Sequence, residues 1–389
     1  MSNPDAAAHP QASSQQIAHV AAYSVAYPEP NDNHATRYLT FCRIEARDGT
    51  VGWGEAITQF PESARATALL IEGLEPLLVG RNPLDNVALW GELQTRTWWY
   101  GYRGGLARFA LSAIDIALWD LKGRLLGLPL VTLLGGAHRE RLPVIASTHV
   151  FDASLEAEAE RHGRYVREEG YQGVKVGMGK AGAARLGYEI ARDVEFVRLL
   201  REAIGPDAML MMDRGQSLRW TFADALRRTK EFERFGLTWI EEPFEPTDVR
   251  NYRALRAQVG CLVAGGEREW DERGYREAIG EGVLDVVGCD VGRAGGITGA
   301  LEVIKLVEIN DLWFNSHAWS SAINTAASIA LSAVTPRCLL QELKPDRNPM
   351  QDELVLEPFS QSGGFISVPL GPGLGIEVDE GVVERYRLA

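Results

Sequence analysis

The sequence predicts an α/β protein whose larger part is a closed barrel of parallel strands. Three observations carry this. From Arg141 onward, eight short apolar runs alternate with longer helix-like stretches, the pattern of repeated βα units. Three successive runs end in a carboxylate: Met209-Leu210-Met211-Met212 at Asp213, Leu237-Thr238-Trp239-Ile240 at Glu241, and Leu262-Val263-Ala264-Gly265-Gly266 at Glu267. No GxGxxG follows the first of these strands, which disfavours the alternative of an open, doubly wound sheet. Eight parallel strands with right-handed crossovers close naturally into a barrel.

The bulk properties bound the function. The 389 residues are 46% hydrophobic, enough for a large core and for two domains or a barrel with an accessory domain. The net charge of −13 argues against nucleic acid and against an anionic membrane surface, because both need a basic patch. It leaves open a small anionic substrate, which only local charge can hold. Cys42, Cys261, Cys289 and Cys338 are scattered with no CxxC, so neither zinc nor a disulfide framework is indicated, and a reduced, cytoplasmic setting fits. Residues 1–16 are rich in Ala, Ser, Gln and Pro, with neither a basic start nor an apolar segment; they read as a disordered tail. No apolar run approaches membrane-spanning length.

Residues 17–56 alternate as strands. The stretch 38–46 leads into a hairpin turn at Asp48-Gly49 and returns through Val51-Gly52-Trp53-Gly54-Glu55. Residues 27–34 hold two prolines and three Asn or Asp residues; they read as a loop, either a lid over a site or an ordinary connection. Residues 62–127 read as helices. The clearest spans 106–125 and is stopped by Gly127 and Pro129. In the aromatic segment 98–105, glycines on both sides of Arg103 suggest a turn from which that side chain reaches a pocket. The barrel strands are expected at 142–148, 173–176, 209–212, 238–240, 262–264, 286–289, 313–315 and 338–341, with helices notably at 183–204 and 222–235. From about Asn348 the chain accumulates Pro and Gly. It is no further βα unit, and it is expected to fold back on the N-terminal part.

Barrel chemistry sits at the carboxyl ends of the strands. Any one of Asp213, Glu241 and Glu267 is open to a plainer reading as a helix cap or loop charge. Three in series would gather at one rim and repel unless a cation lies between them, and all-oxygen ligation selects Mg²⁺, with Mn²⁺ possible. Asp290 and His317 end neighbouring strands, so the carboxylate can fix the imidazole tautomer and make a general base of it. Lys175 faces the same rim. It either holds a substrate oxygen, moves a proton or pairs with a metal carboxylate. Glu342, ending the last strand, would donate a hydrogen bond to an oxyanion if its pKa is raised, or else pair with Arg293 or Lys344. His149 ends strand one and either contacts a distal hydroxyl or packs. Together these groups suit a small-molecule carboxylate whose neighbouring C–H is acidified.

At this point the chain resembles the enolase superfamily, in its mandelate racemase group. The resemblance runs from the hairpin at Asp48-Gly49 to Gly371-Pro372-Gly373-Leu374-Gly375. It rests on residues 110–120 with Leu133-Leu134-Gly135-Gly136, on Trp239-Ile240-Glu241-Glu242-Pro243, on Gly266-Glu267, and on the pair Asp290 and His317. It implies a (β/α)₇β TIM-like barrel over residues 139–347 and an α+β capping domain over 17–138, to which the segment 348–389 returns. It also implies Mg²⁺ on Asp213, Glu241 and Glu267, a loop 28–34 that closes over the site, and a homo-oligomer, dimer or octamer. Substrate specificity is expected from His34, Arg103, His149, Arg214, Arg293 and Trp319.

Two departures stand out. The family's Lys-x-Lys on strand two reads Lys175-Val176-Gly177 here, and Gly215 stands where Asn is common, leaving room or a water. Racemisation needs a proton carrier on each face of the substrate, and Gly177 supplies none on the second. One-base chemistry is therefore favoured: dehydration of a sugar acid, aldonate or aldarate, to a 2-keto-3-deoxy acid. Cycloisomerisation of a sugar-acid lactone is the alternative. A racemase or epimerase ranks behind it, and a non-catalytic barrel last. Residues 348–358 and 371–375 look most like sugar-acid dehydratases and galactarolactone cycloisomerase.

Overall fold

Alternation between residues 17 and 56 produces an antiparallel sheet of β1 (Ile17–Glu29), β2 (Ala35–Ala46) and β3 (Val51–Ala56) in the computed structural model, which describes residues 14–388. The tail expected at 1–16 therefore falls mostly outside the described residues. Helices α1 (Pro61–Leu74), α2 (Asn86–Arg96), α3 (Trp98–Gly101), α4 (Leu106–Leu126) and α5 (Leu130–Leu133) follow. The long helix α4 lies directly on β3. Cβ atoms on Gly52 and Gly54 would overlap the carbonyl oxygens of Ala117 and Ala113, so only glycine permits this approach.

The expected loop at 27–34 is shorter than the sequence suggested. Strand β1 runs on through Glu29, and only a 3₁₀ turn, Pro30–Asp32, separates it from β2, with Asn33 and His34 at φ 53° and 59°. The Glu29 carboxylate caps that turn by accepting from the Asn31 backbone N–H at 3.0 Å.

The barrel is nearly closed. Strands β4 (Arg141–His149), β5 (Gly173–Met178), β6 (Met209–Arg214), β7 (Trp239–Glu241), β8 (Leu262–Gly265), β9 (Val286–Asp290) and β10 (Trp313–His317) pair in parallel in chain order, and β11 (Gln341–Leu343) pairs with β4. Closure between the last two is a single bridge, Phe314 with Cys338. The final strand was expected at 338–341; it begins only at Gln341, because Cys338 bridges to Phe314 and Leu340 turns into the barrel floor. The outer layer includes α6 (Leu155–Arg167), α7 (Ile190–Ile204), α8 (Phe222–Glu233), α9 (Val249–Arg256), α10 (Glu272–Gly280), α11 (Gly296–Ile309) and α12 (Ala322–Ala333). Helix α7 starts seven residues later than the pattern at 183–204 implied, after a segment rich in small residues.

Side-chain alternation places the site. Along β6, Leu210 and Met212 pack outward, with the main core, and Met211 and Asp213 point inward. Ile145, Met211, Trp239, Ala264, Val286 and Leu340 fill the barrel floor. Two positions on from these, Ser147, Asp213, Glu241 and Glu342 are polar and Gly266 and Gly288 are glycines, with Lys175 beside them. An apolar plug thus supports a polar layer.

The C-terminal segment returns to the cap, as expected. After α13 (Pro349–Asp352), β12 (Phe365–Ser367) adds to β4. Leu388 N–H donates to the Ser24 carbonyl at 2.7 Å beyond α14 (Glu380–Arg385). Buried Asp120 accepts from Trp53 N–H at 2.9 Å and Leu374 N–H at 2.8 Å, tying both chain ends to one helix. Among the described residues no helix is long and apolar enough to cross a membrane.

Candidate active site at the carboxyl rim of the barrel

A cavity of about 600 Å³ opens at the carboxyl ends of the strands, beneath the cap. Asp213, Glu267, His317, Lys175, His149, Arg214, Arg293 and Trp319 all reach its wall. Asp290, Glu241 and Glu342 lie just behind it, buried.

The dyad is formed. Asp290 Oδ2 lies 2.6 Å from His317 Nδ1, one strand away at equal register. The other oxygen of Asp290 accepts from Gly292 N–H at 2.8 Å and Asn324 Nδ2 at 3.0 Å, so the carboxylate cannot turn from the ring. His317 Nε2 faces Glu267 Oε2 at 3.3 Å. Burial disfavours the imidazolium, but Glu267 and Asp290 outweigh it and push the ring up to about 10.

The acidic rim follows three successive strands. Asp213 and Glu241 stand side by side on β6 and β7, and Glu267 follows β8. Burial, and then repulsion by Glu267, lifts the Asp213 carboxyl to about 6. Burial lifts Glu241 to about 8, against the pull of Lys175 and with the push of Asp213. Such a donor set, all oxygen and electrostatically frustrated, fits a hard divalent cation. The side chains are turned to other partners, however. Glu241 meets Lys175 Nζ at 2.9 Å and Trp239 Nε1 at 3.0 Å, Glu267 meets His317, and no three such groups among the described residues converge as a preformed metal cluster. The donors suit Mg²⁺ in kind and position, and their rotamers must change to ligate it.

Glu342 differs from expectation. It pairs with neither Arg293 nor Lys344 but with Lys175 at 2.8 Å, and Asn315 Nδ2 donates to it at 2.6 Å. Burial opposes its charge, yet Lys175 and His317 prevail and hold its pKa below the usual value. It is an acceptor that positions Lys175, not a neutral acid aimed at an oxyanion.

Two expected substrate contacts lie elsewhere. His34 is exposed at the β1–β2 turn and Arg103 is exposed and paired with Glu277 at 2.6 Å; neither reaches the cavity wall. Arg214 does reach it, but its guanidinium is spent on the Glu242 and Leu218 carbonyls at 2.7 and 2.5 Å. Arg293 stacks on Trp270, 3.6 Å from the ring centroid, and donates to the Arg268 carbonyl at 3.0 Å.

The space beside Gly177 is filled. A Cβ there would overlap His149 Nδ1, and the two residues pair directly between β4 and β5. The His149 ring lies 4.6 Å from that of Trp319, and neither of its buried nitrogens has a hydrogen-bond partner. Burial first, then Lys180, Arg37 and Lys175, hold it neutral. At Gly215 the expected room is absent: a Cβ would strike the Met178 carbonyl oxygen.

Sequence reasoning missed Arg37 and Lys180, both on the wall. Arg37 arrives from β2, packing over Trp319 at 4.2 Å. Lys180 follows β5 by two residues, and a search of the loop beyond Lys175-Val176-Gly177 for a displaced cation would have found it.

Known proteins agree with this architecture. Residues 31–135 match the mandelate racemase / muconate lactonizing enzyme N-terminal domain, and residues 156–382 the enolase C-terminal domain-like family. The chain is 31% identical to the D-galactarolactone cycloisomerase of Agrobacterium fabrum over 361 residues, 89% of this chain and 90% of that one. It is also 31% identical to the D-gluconate dehydratase of Thermoproteus tenax, covering 93% of this chain and 72% of that protein. The crystal structure of the 3,6-anhydro-D-galactonate cycloisomerase from Zobellia galactanivorans superposes with a TM-score of 0.86 at 29% identity, covering 96% of this chain and 100% of that one. With two family domains matched in order and relatives aligned over most of their length, the chain belongs to the mandelate racemase / muconate lactonizing enzyme family of the enolase superfamily.

Proposed function

We propose that this enzyme removes the proton next to the carboxylate of a sugar acid and expels the neighbouring hydroxyl, giving a 2-keto-3-deoxy acid. The observation that carries the reading is the pairing of one oriented base, His317 on Asp290, with a glycine at 177 where a second lysine would stand. Asp213, Glu241 and Glu267 would hold Mg²⁺, with Mn²⁺ as a substitute. The bound ion would offset the negative charge that builds on the substrate carboxylate as the proton leaves.

The protein's own residues do the rest. Asp290 holds the His317 ring with Nε2 turned to Glu267 and the cavity; with Glu267 on the cation, its push toward the imidazolium would fall and Nε2 would be free to accept the proton. Lys175, anchored by Glu342, presents a fixed cation beside the reacting carboxylate. The protonated His317 can then return its proton to the departing hydroxyl, so a single group serves both steps. The apolar plug below and the overlying cap keep bulk water from the carbanion-like carbon.

Incubation with a panel of sugar acids and their lactones tests this. A keto acid formed from open-chain acid, with one solvent deuterium at C3, supports dehydration. Consumption of lactone alone supports the second reading, cycloisomerisation, which the 31% identity to a galactarolactone cycloisomerase favours. Deuterium entry without net loss of substrate points instead to racemisation. The four free cysteines suit a reducing cytoplasm.

A further inference from the structure

The cavity is basic in a protein of net charge −13: Arg37, Lys175, Lys180, Arg214 and Arg293 outnumber the carboxylates in its wall. Most of these cations are committed. Lys175 is held by Glu241 and Glu342, and Arg214 by backbone carbonyls. Lys180 is not. It is partly buried on the cavity wall and makes no hydrogen bond or ion pair among the described residues. Its charged neighbours are Asp32, Arg37, Asp213 and Glu267. Asp213 and Glu267 belong to the acidic rim, and Asp32 already accepts from Arg37 Nη2 at 3.1 Å. The ammonium is left without a counter-charge of its own.

Two further groups in the same corner lack partners. Arg37 Nε is buried and unpaired, and so are both nitrogens of His149. A buried polar atom without a partner costs on the order of 1–3 kcal/mol, so three of them around one corner describe a site shaped for a polar ligand. The corner sits where the cap meets the barrel. Trp319 forms its wall, with Arg37 on the ring and His149 beside it.

We infer that Lys180, Arg37 and His149 form a distal subsite that takes the far end of the substrate and prefers a second carboxylate there, making the substrate a sugar diacid rather than a monoacid. The ammonium and the guanidinium provide charge-assisted bonds to that carboxylate. A nitrogen of the neutral His149 ring can donate to or accept from a substrate hydroxyl. The glycine at 177 serves this subsite by leaving the ring its seat. The inference rests on the reading above, in which the acidic rim and Lys175 receive the first carboxylate.

Calorimetric titration of the Mg²⁺-equilibrated protein tests it, in the His317→Asn background so that no ligand is consumed. The probes are matched pairs of one configuration each: galactarate with galactonate, glucarate with gluconate, and mannarate with mannonate. In at least one pair the diacid should bind about tenfold or more tightly than the monoacid, the scale of one charge-assisted hydrogen bond. Adding Lys180→Met should remove that gap while leaving the monoacid within about twofold, and Lys180→Arg should restore most of it. The inference is overturned if every monoacid binds as well as its diacid, if neither member of any pair binds, or if Lys180→Met weakens both alike. Loss of the C2 hydrogen in the otherwise unaltered protein, read as keto acid formed or as deuterium at C2 of recovered substrate, separates the two readings. Loss of that hydrogen without a diacid preference removes the subsite and leaves the base in place; its retention with every acid removes the base whatever the binding shows.

Discussion

The imidazole of His149 occupies the volume into which a side chain at Gly177 would project. The two residues face each other across β4 and β5, so neither can change size alone. Gly177→Ala should therefore displace the ring and destabilise the protein by about 1–3 kcal/mol, the usual cost of overpacking. His149→Ala opens that space. In the double variant the alanine at 177 should cost less than it does alone, with a coupling of about 0.5–3 kcal/mol in a denaturation cycle. Strict additivity would show that the ring is not what the glycine accommodates.

His317→Asn should abolish keto-acid formation while the circular dichroism spectrum stays unchanged. Asp290→Asn keeps the ring in place but removes the charge that favours its protonation. It should lower kcat by about 10²-fold or more, within the range of general-base effects. Turnover at the original rate in His317→Asn would shift the base to another residue.

The barrel was legible because parallel strands buried on both faces read as continuous apolar runs, and their carboxyl ends mark themselves by the first charge. Asp213, Glu241 and Glu267 were found in that way. What escaped depends on contacts distant in sequence. The charge of Glu342 is set by Lys175, 167 residues away, and no local pattern reports it. Arg37 belongs to a cap strand whose approach to the barrel is a tertiary fact. His34 and Arg103 were placed by turn chemistry, which finds turns but not the direction they face. The last strand was misplaced because Cys338 bridges to Phe314 and Leu339 and Leu340 pack into the floor before the ladder begins.

Mg²⁺ should raise the melting temperature. A ligand that binds only the folded state contributes RT ln(1 + [L]/Kd), about 2.7 kcal/mol at one hundred times Kd. The shift should vanish in Asp213→Ala and in Glu241→Ala and return to baseline on chelation, as read by calorimetric melting. An equal shift in those variants would locate the ion elsewhere.

Stability should also report on Asp115, which is fully buried on α4 and accepts from Thr298 N–H at 2.8 Å and Thr298 Oγ1 at 2.6 Å. Burial dominates and lifts its carboxyl to about 7, from 3.8 in the unfolded chain. A raised folded pKa means that the native state binds the proton more tightly. The contribution is complete below pH 4 and is lost as pH rises through 7. Three units correspond to at most about 4 kcal/mol. Asp115→Asn presents a carbonyl to Thr298 N–H and an amide to Oγ1 without titrating. The difference in unfolding free energy between this variant and the wild type should grow in the variant's favour from pH 4 to 8. A constant difference would mean that Asp115 does not change charge there.

The cap is latched to the barrel by Lys344 and Glu29, 2.6 Å apart and both fully buried. The lysine follows β11, and the glutamate ends β1 and caps the turn at Pro30–Asp32. Lys344→Met leaves an uncompensated buried carboxylate, which should cost about 3–5 kcal/mol. Glu29→Gln in addition removes that charge and should recover part of the loss, although the turn then keeps a weaker cap. Lys344 also lies 5.3 Å from the Trp319 ring, so loosening the latch should move the wall of the cavity. KM should rise more than kcat falls, because the base and the acidic rim belong to other strands. Denaturation curves with steady-state kinetics on the same preparations check both halves. A single variant as stable as the wild type would show that the pair does not hold the cap.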